Sequence, residues 1–155
     1  MADESLILLA KEVRGKTLRL LDGVSEADAR YTPAGLNNTI LWHSGHALVV
    51  VEHLSVAPAT GQAPSYPTGW FEIFSWKSSP ASVTSWPTLE EVVGRLREQL
   101  SRLIGAIERL SPEQLAGLRE NGKSLRYSIL HGLHDEACHS GEIHLLKKLR
   151  RVGVR

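Results

Sequence analysis

Residues 130–146, with the sequence LHGLHDEACHSGEIHLL, decide how the rest of this chain is interpreted. They contain four of the seven histidines, the only cysteine and three acidic residues. The stretch has no proline, and Leu, Ile and Gly recur along one side, which predicts a continuous helix with a core-facing side. Burying so many ionisable groups is costly unless something compensates them. A bound metal ion would provide that compensation.

On a helical wheel with His139 turned to the core, one carboxylate stands out as its partner. Asp135 precedes His139 by four residues, the spacing that brings two side chains of a helix together. Glu136, three residues before His139, is the competing carboxylate on the other flank. The other histidines of the stretch lie at the edge of this face or off it: His131, His134 and His144. The helix therefore supplies half of a site.

A second predicted helix supplies the missing partner. Asn37 or Asn38 can cap it, and it runs to about residue 56, before a proline. It carries His43 and His46, which lie on adjacent faces of one turn. Either one, placed opposite Asp135 and His139, would complete a site of two histidines and one carboxylate. Three protein ligands leave positions open for water or substrate, and this donor set suits Zn²⁺, Ni²⁺, Fe²⁺ or Mn²⁺.

Simpler interpretations of the same residues stay open at this point. His46 could be a hydrogen-bonded core histidine, Asp135 could pair with an arginine, and His139 could donate to a backbone carbonyl. Cys138 fits an inert small side chain better than a nucleophile, because no base is assured beside it. The pattern assigns no catalytic residue.

The remaining chain completes an all-α pattern. Three-four spacing predicts a first helix from about residue 6 to residue 20, and a capping box at residues 88–91 opens a third that reaches about residue 110. Ser124 begins the histidine-rich fourth helix, which runs to about Arg151. Between helices two and three, residues 57–86 are rich in proline and glycine but also in aromatics, which predicts an ordered connection with a helical turn at residues 70–74. Four long helices without a strand predict a four-helix bundle.

Composition limits the possible partners. A chain of 155 residues is expected to form a single domain over residues 1–155, and its net charge of +1 gives no general attraction to nucleic acid or to an anionic membrane. One cysteine excludes an internal disulfide framework and favours a reducing compartment. Neither a signal peptide nor a membrane span is recognisable, so we expect a cytoplasmic protein.

Two segments together resemble the DinB-like superfamily of metal-binding, up-down four-helix bundles. Residues 38–46, NTILWHSGH, are similar to the family's second-helix pattern, whose last histidine, a ligand, corresponds to His46. Residues 139–143, HSGEI, are similar to its H-x-G-Q-I signature, whose first histidine, also a ligand, corresponds to His139. The family's third ligand, often histidine, falls at Asp135. His134 is one residue too early for that role without a helix bulge, and Glu142 replaces the usual glutamine.

The resemblance implies a metal site formed by His46, Asp135 and His139, a long connection after the second helix, and a homodimer. Relatives with known chemistry include bacillithiol and mycothiol-dependent transferases and isomerases. They imply a metal-dependent enzyme that activates a low-molecular-weight thiol for transfer to a small-molecule substrate. Two other functions are considered beside it: a non-enzymatic bundle that binds a small molecule, with or without metal, and a metal-dependent hydrolase.

Overall fold

The fold is all-α, as predicted. The computed structural model describes residues 2–153. Its α-helices, in chain order, are α1 (Glu4–Leu21), α2 (Glu26–Ala29), α3 (Ile40–Val51), α4 (Ala57–Thr60), α5 (Trp70–Phe74), α6 (Leu89–Ile107), α7 (Pro112–Ala116) and α8 (Leu125–Arg151). A π-helical segment, Glu52–Val56, joins α3 to α4, and a 3-10 turn, Pro80–Ser82, precedes α6. Within residues 2–153 the β-structure amounts to an isolated bridge between Leu118 and Ser124.

Side-chain caps set the starts of the long helices. The hydroxyls of Thr88 and Ser124 accept from backbone N–H groups of the first turns of α6 and α8, as the sequence predicted. The predicted cap of α3 was wrong: Thr39, and neither Asn37 nor Asn38, accepts from the N–H of Trp42. Thr39 has extended backbone angles directly before the first helical residue, which is the conformation that an N-cap requires.

The four long helices form the bundle. α8 packs between α1 and α3, and α6 contacts the same two helices on the opposite side. Contacts at Asp3–Arg126 and Leu20–Lys147 show that α1 runs parallel to α8, whereas Gly132 of α8 lies beside the residues that follow α3, so these two helices are antiparallel. The long connection carries the chain back across the bundle, so α3 and α6 run in the same direction and the alternation expected of an up-down bundle is broken at this step.

The core consists of two apolar clusters, one at each end of the bundle. One cluster contains the start of α3, the end of α8 and the aromatic residues Trp70 and Phe74 of the connection. The other contains the start of α1 and the first half of α8. Charged and polar side chains occupy the level between the clusters, and the site described below lies at that level. Within residues 2–153, none of the helices combines the length and apolar character that a bilayer span requires.

Close approach at Gly132 fixes the distance between α3 and α8. A β-carbon at this position would collide with the Ser55 hydroxyl in the π-helical segment. Two hydrogen bonds join the π-helical segment to α8 here: Ser55 donates to the carbonyl of Ile129, and Ser128 donates to the carbonyl of Leu54. Gly132 therefore lets α8 pack closely against the end of α3, and the contact sets α3 at the depth at which its histidines reach α8.

Candidate metal centre

His46 projects from the middle of α3 into the bundle, and its orientation is fixed on two sides. The indole of Trp42, one turn earlier, stacks on its ring with centroids 4.5 Å apart and an interplanar angle of 21°. Its Nδ1 lies 2.6 Å from the backbone carbonyl of Phe74. A carbonyl only accepts, so Nδ1 carries the proton and donates it. The Nε2 lone pair of His46 is thereby left free to bind a metal ion.

Asp135 and His139, on consecutive turns of α8, face that nitrogen. Asp135 Oδ2 lies 3.7 Å from His46 Nε2 and 3.6 Å from His139 Nε2. The three donor atoms all lie within 4.8 Å of one another. Ligand atoms about 2.0–2.2 Å from a tetrahedral metal ion lie roughly 3.3–3.6 Å apart, so the observed spacing leaves room for an ion between them.

The state of Asp135 is the strongest indication that this group of side chains fits a cation. Its Oδ2 atom is buried and has no hydrogen-bond partner, although the side chain as a whole is 31% exposed. An unpaired buried carboxylate oxygen is costly, and native structures nearly always satisfy such atoms. A divalent ion held by His46, Asp135 and His139 would satisfy it. The exposure of Asp135 also leaves one side of the site open to a further ligand.

Burial keeps the imidazoles of the site in the form that binds metals. Desolvation lowers the pKa of His46, against the opposing effects of the Phe74 carbonyl and the Asp135 charge. It also lowers the pKa of His139, helped by His46 and opposed by Asp135 and Glu136. Metal ligation requires neutral imidazole, so these shifts reduce the competition from protons near neutral pH.

Glu136, the competing carboxylate, has a different role. It is fully buried and forms a two-point ion pair with Arg14 of α1, whose Nε and Nη2 atoms lie 2.7 and 2.9 Å from its two oxygens. Thr17 donates to the same carboxylate at 2.7 Å. The contacts of Glu136 with Arg14 and Thr17 are thus made on the side of α8 that faces α1. Glu136 therefore links α8 to α1, while its neighbour Asp135 faces α3.

The network around Glu136 continues through all four long helices. Arg14 also donates to Gln99 of α6, and Gln99 donates both to the Leu48 carbonyl of α3 and to Glu52, which is buried in the π-helical segment directly after α3. Arg102 of α6 pairs with the same carboxylate at 2.9 Å. Each charge in this layer has a partner of opposite sign, the condition under which buried ionic groups are tolerated. The layer holds the two helices that carry Asp135 and His46 in register.

Several residues singled out in the sequence lie outside the site. His131, His134, Glu142 and His144 are exposed. Cys138 is exposed too, and its Sγ lies 3.9 Å from His134 Nε2 on the outer face of α8. His53 is half-buried in an aromatic cluster: its Nε2 lies 2.6 Å from the Tyr66 hydroxyl, and its ring contacts Phe71 and Trp76.

Two contributors to the orientation of His46, the Phe74 carbonyl and Gly45, were not predicted. The Phe74 carbonyl that orients His46 is a backbone atom in a connection without repeating pattern, so residue types could not identify it. Gly45 permits the contact, because a β-carbon there would overlap the Phe74 ring.

His43, the alternative to His46 as a ligand, does not face Asp135 in this way. It instead places its Nδ1 2.7 Å from His139 Nδ1. Desolvation, followed by the charges of His139 and His46, lowers the pKa of His43 to about 3.

With this geometry established, comparison with known proteins identifies the family. The family model of the DinB superfamily matches residues 9–143. The chain belongs to the DinB superfamily. The fold is similar to a crystal structure described as the conserved protein of a locus from Enterococcus faecalis, with a TM-score of 0.77 and 14% identity over 96% of this chain and 97% of that one. That likeness concerns the fold alone, and no curated protein matches the chain significantly.

Proposed function

We propose that this DinB-superfamily protein binds one divalent metal ion through His46, Asp135 and His139. The observation that carries the proposal is the buried, unpartnered Oδ2 of Asp135, which lies between the Nε2 atoms of His46 and His139. The donor set of two neutral imidazoles and one carboxylate suits Zn²⁺, Ni²⁺, Fe²⁺ or Mn²⁺. Its net charge of −1 compensates part of the charge of a divalent ion.

We further propose that the protein is an enzyme that uses this site to activate a low-molecular-weight thiol for transfer to an electrophilic small molecule. A divalent ion lowers the pKa of a thiol and so favours the nucleophilic thiolate. The chain's own residues support an open site: three ligands leave coordination positions unfilled, and the outer side of Asp135 is accessible. Trp42 packs against His46 and His139 and forms an apolar wall beside them.

The first experiment measures the metal. Protein purified without added chelator should contain about one divalent ion per chain, as determined by elemental analysis. His46→Ala and His139→Ala should each abolish retention, because they remove one of three ligands. His144→Ala is the matched control, since it alters an exposed histidine of the same helix, and it should retain the ion. Undiminished metal content in both ligand variants would contradict the assignment.

The second experiment measures turnover. A panel of small thiols is combined with model electrophiles, with metal-loaded and chelator-treated protein in parallel. Thiol consumption that requires metal supports the transferase. Metal binding with no turnover for any pair would favour a binding module, and ester or amide cleavage without thiol would favour a hydrolase. The homodimer expected from the resemblance stays a prediction.

A further inference from the structure

His43 stands beside the proposed site without belonging to its ligand set. Its side chain is buried on α3, three residues before His46, and its Nδ1 lies 2.7 Å from Nδ1 of His139. Two neutral ring nitrogens at this distance share a single proton, so one ring donates and the other accepts. The tautomer of His139 therefore depends on which of the two rings donates the proton.

Only one of the two arrangements leaves His139 able to act as a ligand. If His139 accepts from His43, its own proton is on Nε2, the atom that faces Asp135 at 3.6 Å, and that atom has no free lone pair. If His139 donates from Nδ1, its Nε2 lone pair is available. His46 reaches the same state by donating Nδ1–H to the Phe74 carbonyl.

We infer that His43 is a positioning residue: it accepts the Nδ1–H of His139 and so holds His139 in the Nε2-ligating tautomer. This inference rests on the proposed metal site. Ligating histidines in proteins usually donate their second N–H to a carboxylate, a backbone carbonyl or water. Here a neutral imidazole takes that place. One turn of α3 thereby provides both a ligand, His46, and the acceptor that orients the ligand on α8.

Packing around His43 makes it a defined acceptor. His43 is 6% exposed, and its ring lies edge-on to Trp42, with centroids 5.3 Å apart and an interplanar angle of 80°. Trp42 is itself anchored, because its Nε1 donates to the Ser78 hydroxyl at 2.9 Å. His43 contacts the Nδ1 side of the His139 ring, opposite the side that faces Asp135. It therefore acts through His139.

Two substitutions separate the acceptor role from packing. His43→Phe keeps an aromatic ring against Trp42 but removes the acceptor. His43→Asn loses the ring but places its amide oxygen close to the position of the imidazole Nδ1. Zn²⁺ affinity, measured by competition with a chromophoric chelator, should fall about 10–100-fold in His43→Phe, as for other groups that orient metal-bound histidines. His43→Asn should stay much closer to the unsubstituted protein.

A purely structural role predicts the opposite order, with His43→Phe tolerated and His43→Asn impaired, and that result would overturn the inference. Nitrogen-15 NMR of the zinc-loaded, unsubstituted protein gives a readout that needs no variant. It should show His139 protonated at Nδ1 and His43 protonated at Nε2; a proton on His43 Nδ1, or zinc bound to His43, refutes it. If the unsubstituted protein binds no Zn²⁺, the proposed function fails as well, whereas equal affinity in all three proteins defeats only the role of His43.

Discussion

Glu136→Gln tests whether the two adjacent carboxylates of α8 really have separate roles. The substitution keeps the volume of the side chain but removes the charge that neutralises Arg14, which is 2% exposed. Breaking a buried ion pair by removing one partner typically costs about 3–5 kcal/mol, because the other charge remains buried without compensation. Domains of this kind are stable by roughly 5–15 kcal/mol, so a large part of the stability should be lost.

A double-mutant cycle measures the coupling free energy between Arg14 and Glu136 directly. Arg14→Met should also cost about 3–5 kcal/mol, for the same reason applied to Glu136. If the two effects were independent, the double variant would lose about 6–10 kcal/mol. We expect it to lose little more than either single variant, because the second substitution removes the charge that the first left unpaired.

The assay is urea denaturation of metal-free protein followed by circular dichroism, with metal content measured on the same preparations. Glu12→Gln is the matched control: it breaks an exposed pair with Arg19, 3.8 Å apart, and should cost under about 1 kcal/mol. Strict additivity in the cycle would refute the coupling. Loss of the metal ion from a folded Glu136→Gln variant, with retention in Asp135→Asn, would reverse the roles given to the two carboxylates.

Two further predictions concern pH and packing. Because burial lowers the pKa of His43 to about 3 from an ordinary 6.5, the unfolded chain binds its proton first, and stability is lost as pH falls below 6.5. Metal-free protein should lose about 2 kcal/mol from this group between roughly pH 7.5 and 5, and His43→Phe should show a smaller slope in urea titrations. Gly45→Ala should cost about 1–3 kcal/mol by overlap with the Phe74 ring and weaken metal retention, whereas Gly94→Ala, which meets open space on α6, should gain up to about 1 kcal/mol.

Much of the fold was predictable because helix signals are local. The periodicity of apolar residues marked the long helices, and caps at Thr88 and Ser124 marked two of their starts. The helical turn at Trp70–Phe74 was predicted within the aromatic-rich connection and is present there. The cap of α3 was misplaced because several capping residues follow one another, and only the backbone angles distinguish Thr39 from its neighbours.

The sequence by itself determined that α8 carries two ionisable side chains spaced so that both can bind one metal ion, since Asp135 and His139 lie one turn apart on any helix. The resemblance to the DinB-like superfamily selected His46 as its partner. Only the tertiary structure decided that Glu136 faces Arg14, that His43 contacts the back of His139, and that the Phe74 carbonyl orients His46. Helix periodicity defines the faces of a helix but does not state which neighbour each face meets. That depends on how closely helices pack, here set by Gly45 and Gly132, and on contacts between residues far apart in the chain.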